Sequence, residues 1–333
     1  ITYFKNRKFL EYRSFPFGAL TLKKFFTSDK PQKMEIDRLL QYLFDHFKQL
    51  TWLKNESVPL VGIGGSARSL VQIHQNGLNY PLAGLHQYAM DGVEIKKICE
   101  YLAMMSLGEL ERIEGLSKDR TDIILPASLV FLALYQTIGA KMFILSRKGL
   151  REGFFYEYLA DDAEGNHYPN VLKDSILEMV HEYGLQLEQI SHVAELAKKI
   201  LDTFIAHRIG QLTPDDWNHL LLGCYVYNLG NYIDSESSSQ HTFYLLANRT
   251  IDGLLHIDRL KMALVASFKN KTVFHQYLEP FTDWFTKGEQ HKLWVLGALL
   301  KLIYSLDATK RKIVQDVRME CNLDTIFMTV YCN

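Results

Sequence analysis

Apolar and polar positions alternate from the first residues. Tyr3-Phe4 and then Phe9, Leu10 and Tyr12 flank the polar run Lys5-Asn6-Arg7-Lys8, which predicts a β-hairpin over residues 1–14. Pro16 and Gly18 break the pattern. Ala19 to Phe26 then start a helix, and Lys33 to Leu50 continue as an amphipathic one. Val58-Pro59-Leu60-Val61-Gly62-Ile63 has the length and composition of a strand, followed at once by Gly64-Gly65 and a helix from about Ser66 to Gln75. Further helices are expected near Asp91–Met104 and Ile123–Gln136. A strand at Met142–Leu145, a turn at Lys148-Gly149 and a helix from about Leu150 come next. Strands alternating with helices argue for a mixed α/β domain.

The most apolar run, Ile123 to Leu145, is interrupted by Pro126, Gln136, Gly139 and Lys141. A spanning helix needs about 20 mostly apolar residues. The run therefore reads as a buried helix feeding a core strand, and no membrane partner is expected. The composition shifts at Asp161 to Pro169, polar and turn-rich, which predicts a linker at residues 163–169. Beyond it the period is helical. Leu172, Ile176, Met179 and Val180 share one face, and Val193, Leu196, Ile200, Phe204 and Ile205 share another. Thr213 is expected to cap a helix with Pro214 at its first position. The domains are thus 1–162, 170–312 as an all-α domain, and 313–333 as the start of a small C-terminal β segment carrying Thr325 to Tyr331.

Composition narrows the classes. The 333 residues are 47% hydrophobic and 23% charged, with Lys+Arg 37 against Asp+Glu 38. Disordered and fibrous classes are excluded, and near-zero net charge leaves no global case for nucleic acid, so any basic site must be local. Cys99, Cys224, Cys321 and Cys332 form no metal-ligand pair, and a reduced, cytoplasmic setting is expected. Histidines number 12, yet no zinc-type spacing occurs. His192, His207, His219 and His241 fall in the helical domain, and Phe243, Tyr244, Trp284, Phe285 and Trp294 read as core aromatics.

The strongest chemical signal is Gly62-Ile63-Gly64-Gly65-Ser66-Ala67-Arg68-Ser69, a strand, a glycine turn and a helix start. Free N–H groups and the positive helix end favour a phosphate there, with Ser66 adding a hydroxyl and Arg68 a charge. The competing explanation is a tight turn that needs glycine only for its backbone. Glu111 to Asp122 is densely charged. Its carboxylates could do acid–base work, but a solvated helix–loop–helix is the simpler expectation. Lys5, Arg7, Lys8, Lys23 and Lys24 form a weak basic cluster. Arg147, Lys148 and Arg151 form another just after a core strand, where ligands of α/β sheets tend to sit. Lys310-Arg311-Lys312 reads as a solvated helix end.

Taken together these segments resemble the exopolyphosphatase/guanosine pentaphosphate phosphatase (Ppx/GppA) family of the actin-like superfamily. Ser14-Phe15-Pro16-Phe17-Gly18-Ala19-Leu20-Thr21-Leu22 looks like the family's strand and helix entry after its first phosphate loop. Gly62 to Leu70 is similar to the second, Gly-x-Gly-Gly-Thr, loop, with Ser66 in place of Thr. Glu111-Arg112, Gly115-Leu116 and Arg120-Thr121-Asp122-Ile123-Ile124 look like its Glu-Arg…Gly-Leu…Arg-Ala-Asp-Ile segment. Gly149-Leu150-Arg151-Glu152-Gly153 looks like its Gly-Leu-Arg-Glu-Gly turn, and His192-Val193-Ala194-Glu195-Leu196-Ala197 resembles the opening of its helical domain.

The resemblance implies an α+β protein: an actin-like (ribonuclease H-like) α/β half-domain, then an all-α HD-like domain. It implies Gly62, Gly64, Gly65, Ser66 and Arg68 as phosphate-binding residues and hydrolytic loss of a terminal phosphate from polyphosphate or guanosine pentaphosphate. It further implies Mg²⁺ in the full-length enzyme and possible homodimers through the helical part. The family's Asp-x-Gly-Gly-Gly-Ser loop and its catalytic glutamate are not found in this sequence. They are expected upstream of Ile1, so the chain is expected to be an inactive fragment. The His-Asp pair of true HD hydrolases aligns with Tyr227-Asn228, a further His with Ser238-Ser239 and the last Asp with Tyr304, leaving His192 and His241. No HD-type metal centre is therefore expected. The rival expectation is a non-catalytic module that binds polyphosphate or an alarmone.

Overall fold

A helix that is apolar all round must be buried all round, and the first half of the chain is arranged to do that. The computed structural model describes residues 1–53, 57–159, 170–321 and 325–333, so the expected linker at 163–169 lies outside the described residues. Two units separate, Ile1–Pro169 and Asn170–Asn333.

In the first unit β1 (Thr2–Lys5) and β2 (Lys8–Tyr12) form the antiparallel hairpin. Its tight turn holds Asn6 and Arg7 at φ 51° and 62°, the left-handed geometry of two-residue hairpin loops. Then come α1 (Ala19–Leu22), α2 (Lys33–Phe47), β3 (Leu60–Ile63), α3 (Gly65–Gly77), β4 (Ala89–Met90), α4 (Gly92–Ala103), α5 (Leu107–Leu110), α6 (Ile124–Ile138), β5 (Phe143–Ser146) and α7 (Leu150–Leu159). The helix expected over Ala19 to Phe26 tightens to a 3₁₀ turn at Lys23–Phe25. The buried helix of the sequence is α6, which packs against α1, α2, α3 and α4. From α2, Leu39, Leu43 and Phe47 reach the core at a spacing of one helical turn. Asp91 caps α4 by accepting the Glu94 N–H at 2.8 Å, while the Glu94 carboxylate accepts the Asp91 N–H at 2.7 Å, a reciprocal capping box. The sheet has the order β3-β5-β4, with β3 parallel and β4 antiparallel to β5.

The second unit is helical: α8 (Val171–Glu182), α9 (Leu187–Ala206), α10 (Asp216–Val226), α11 (Ser238–Asn248), α12 (His256–Ala266), α13 (Lys271–Leu278) and α14 (Lys287–Leu306). A hairpin of β6 (Val314–Cys321) and β7 (Ile326–Cys332) follows and packs against α9. At the centre α12 buries Leu260 and Met262 through Ala266 against α10, α11 and α14.

Two expectations change here. Thr213 does not cap α10. Its N–H and hydroxyl both donate to the Asp216 carboxylate, at 2.7 and 2.9 Å, and the helix starts at Asp216 with Asp215 at its cap position, beyond the turn that this carboxylate closes. Tyr244 is 65% exposed, not core: α11 buries Thr242 and Leu246, and Tyr244 points away between them. Among the described residues no helix is long and apolar enough to cross a membrane.

The first unit also contains a half-buried titrating group. Tyr88 Oη lies 2.9 Å from His74 Nδ1, and burial holds the His74 imidazole below its ordinary range, against the opposing pull of Glu94 and Asp91. The unfolded chain therefore binds this proton more readily than the folded one. The folded state is favoured above the unfolded pKa near 6.5 and loses stability as pH falls below it. Urea unfolding at pH 7.5 and 5.5 should show a smaller acid loss for His74→Gln than for the parent chain; equal losses would remove His74 from this account.

Candidate anion-binding cleft

Strand β3 ends against the N-terminus of α3, and three glycines set the join. Gly62 is buried, and a Cβ there would fall on the ring of Phe143 in β5. Gly64 has φ 98° and ψ −174°, a conformation left to glycine, and it turns the chain directly into the helix. The first helical bond runs from Arg68 N–H to Gly64 O at 3.1 Å, so the N–H groups of Gly65, Ser66 and Ala67 have no partner within the helix. They lie at the positive end of a 13-residue helix.

Gly65 has no side chain because the Arg120 guanidinium occupies that space: a Cβ on Gly65 would land on it. Arg120 comes from the 3₁₀ turn Lys118–Arg120, which leads straight into α6. Its neighbour Asp119 is held below the usual carboxylate range, first by the Ser117 hydroxyl and less by Arg120 itself. The same loop docks on α3 farther along. Gly115, at φ 90°, lies against Gln72, and Asn76 Nδ2 donates to the Glu114 carbonyl at 3.0 Å. Lys23 pairs with Asp122 at the loop's far end.

Between the loop and α3 runs a cleft of two connected parts, about 390 and 600 Å³. Gly65 and Arg120 line the first, Arg147 lines the second, and Arg68 and Glu114 line both. Arg147 sits just beyond β5, where its N–H donates to His86 Nδ1 at 3.0 Å. Three guanidinium groups against one carboxylate, beside unpaired helix N–H groups, form an arrangement suited to phosphoryl oxygens.

Of the residues expected to bind phosphate, Gly65 and Arg68 line this cleft. Gly64 is exposed at the turn, and Ser66 is half-buried beside it with no side-chain partner among the described residues. Gly62 faces the sheet and serves packing. Sequence reasoning placed Arg120 in a solvated stretch and missed its role. The glycine at position 65 was the available signal, since its missing side chain leaves the room that a guanidinium fills. Arg147 was noted in a basic cluster but not joined to the glycine turn.

In the second unit no group of three or more His, Cys, Asp or Glu among the described residues could hold a metal. The Tyr227 and Tyr304 rings stack at 4.4 Å, and the Tyr304 hydroxyl donates to the Cys224 carbonyl at 2.5 Å. Burial raises both phenols above their ordinary range. His192 is half-buried, with its Nε2 buried and unpartnered, and His241 is half-buried on α11. Lys310 and Lys312 occupy a left-handed turn after α14, at φ 58° and 52°, rather than the helix end.

Comparison with known proteins matches two family profiles in succession: Ppx/GppA phosphatase family over residues 1–162, and Ppx/GppA phosphatase, domain III, over 171–326. The chain belongs to the Ppx/GppA phosphatase family. It is similar to a guanosine-5'-triphosphate,3'-diphosphate pyrophosphatase of Aeromonas hydrophila subsp. hydrophila, at 21% identity over 224 residues, 65% of this chain and 40% of that protein. Among solved structures, the Ppx/GppA family member of Aquifex aeolicus is 26% identical, over 49% of this chain and 53% of that one, with a TM-score of 0.44. An exopolyphosphatase from Cytophaga hutchinsonii is 17% identical over 47% and 52%, with a TM-score of 0.41. The chain thus spans about 40% of the length of the curated relative and about half that of the solved ones.

Gly65→Ala tests the Arg120 contact. The group met by the new methyl is the end of a flexible side chain, so thermal stability should change little. Displacing the guanidinium removes a charge-assisted contact, and tripolyphosphate binding measured by calorimetry should weaken about tenfold or more. Unchanged affinity would show that Arg120 does not face the ligand.

Proposed function

We propose that the first unit is one wall of the phosphate-binding cleft of a phosphoanhydride hydrolase, which removes terminal phosphate from polyphosphate or guanosine pentaphosphate. The observation that carries this reading is the Arg120 guanidinium resting on Gly65 at the unpaired N-terminus of α3. Family membership supports the hydrolytic class, and the activity for which the Aeromonas relative is named supports a guanosine polyphosphate among the substrates.

The roles divide by geometry. The Gly65 and Ser66 N–H groups donate to phosphoryl oxygens, with the Ser66 hydroxyl beside them. Arg120 and Arg68 neutralise the charge that builds on the leaving phosphates, and such preorganised donors act where charge develops. Arg147 extends the positive lining toward the next phosphates of a chain. Among the described residues Glu114 is the one acidic residue lining the cleft, too few acidic ligands for an all-protein Mg²⁺ cage. Mg²⁺ is expected to enter with the substrate's phosphates, as it does where one or two carboxylates serve. Water activation needs a base in line with the scissile bond. The family resemblance assigns that base to a segment outside this sequence, so the 333-residue chain is expected to bind these substrates without turning them over.

Equilibrium binding and phosphate release check both parts. The purified chain should bind tripolyphosphate with an affinity that falls steeply with salt, and Arg120→Ala should weaken it about ten- to a hundredfold. Phosphate release from polyphosphate or guanosine pentaphosphate should not exceed background. Turnover by this chain would overturn the inactive half of the proposal, and salt-insensitive binding the electrostatic half.

A further inference from the structure

A second polar cavity, in the helical unit, has no part in the hydrolytic cleft. It measures about 180 Å³ and opens where the α8–α9 connection, the end of α10 and the turn after α14 meet. By the ~30 Å³ that each liquid water occupies, it has room for about six waters, which suits one ring system rather than a whole nucleotide. Gln189, Ile190 and Tyr304 are its buried lining, and Asn228, at a position where the resemblance aligned a lost metal ligand, adds a half-buried amide.

The lining has a definite chemistry. Tyr183 and Tyr232, which meet edge to face at 5.0 Å, and Tyr304, stacked on Tyr227, all line the cavity. The Asn228 side chain makes no hydrogen bond among the described residues, and its atoms remain accessible to the cavity. None of the lining residues is acidic, and Lys310 is the one cation. Lys310 makes no ion pair among the described residues, whereas Lys312 reaches Glu188 at 3.5 Å.

The turn that carries Lys310 is held in place. Its φ of 58° is unfavourable for lysine. It is maintained by the buried Asp307, whose carboxylate accepts the Lys312 N–H at 2.9 Å and whose carbonyl accepts the Lys310 N–H at 2.9 Å and Gln189 Nε2 at 3.3 Å. Backbone strain kept by a buried anchor, with an unpaired ammonium at a cavity mouth, marks a built feature.

We propose that this cavity is a nucleoside phosphate site: the base enters between the tyrosines, the Asn228 amide reads its edge, and the phosphate rests on Lys310 at the mouth. Aromatic walls and side-chain amides are the means by which proteins hold an unstacked base, and an ammonium serves a phosphate as a point charge. The site is separate from the cleft of the first unit and does not depend on hydrolysis there. Its occupation is a binding event, not a reaction, and gives the helical unit a ligand of its own.

Calorimetric titration of the whole chain carrying Arg120→Ala, which disables the first cleft, tests the proposal with GMP, guanosine and inorganic pyrophosphate. GMP should bind as well as to the unsubstituted chain. Lys310→Asn, a residue that tolerates the left-handed backbone, should weaken GMP about tenfold or more and leave guanosine unchanged. Asn228→Leu should weaken both; where that variant fails to fold, Lys310→Asn carries the test alone. GMP binding that vanishes with Arg120→Ala, ignores Lys310→Asn, or is matched by pyrophosphate overturns the proposal.

Discussion

Burial of α6 is the constraint on which the first unit depends. Ten of its residues are buried, so helices must cover it on several sides, and α3 is one of them. The segment just ahead of α6 has little freedom once that helix is enclosed. It has to cross the N-terminal half of α3, and Arg120 meets Gly65 there. The arrangement of cationic groups is thus a by-product of core packing: an apolar helix with no chemistry of its own brings a guanidinium to a helix terminus. The two groups are 55 residues apart in sequence, and neither would form a site alone.

The helical unit solves a different problem with similar means. Its centre, α12, packs against α10, α11 and α14, and the rings of Tyr227, at the end of α10, and Tyr304, on α14, stack on each other. The buried Asp307 carboxylate anchors the turn after α14. The Tyr304 hydroxyl in this stack satisfies the Cys224 carbonyl, which would otherwise be stranded at the end of α10.

Much of the architecture was legible in the chain. The hairpin over β1 and β2, the buried α6, the amphipathic α2 and the helical run after residue 170 follow from periodicity and turn residues, because local burial pattern and backbone preference agree there. The glycine turn at Gly62 to Ser66 was legible as well. Less legible were distinctions that need the third dimension. Gly62 and Gly65 look alike in sequence, yet one makes room for Phe143 and the other for Arg120. Tyr244 looked like a core aromatic, and only the rotation of α11 turns it outward. Thr213 has the right chemistry for a cap, but Asp216 competes for the same turn and prevails.

By itself, then, the sequence determined the α+β order and the division into two units, since these rest on periodicity, composition and short-range spacing, while its motifs carried the resemblance to the family. Tertiary structure alone decided which charges converge. Arg120, Arg68 and Arg147 are scattered among elements that the core packs together, as are Lys310, Asn228 and the tyrosines of the second cavity. Local propensity sets the elements, but a binding site is a set of distances between them, and those distances follow from how the buried faces fit.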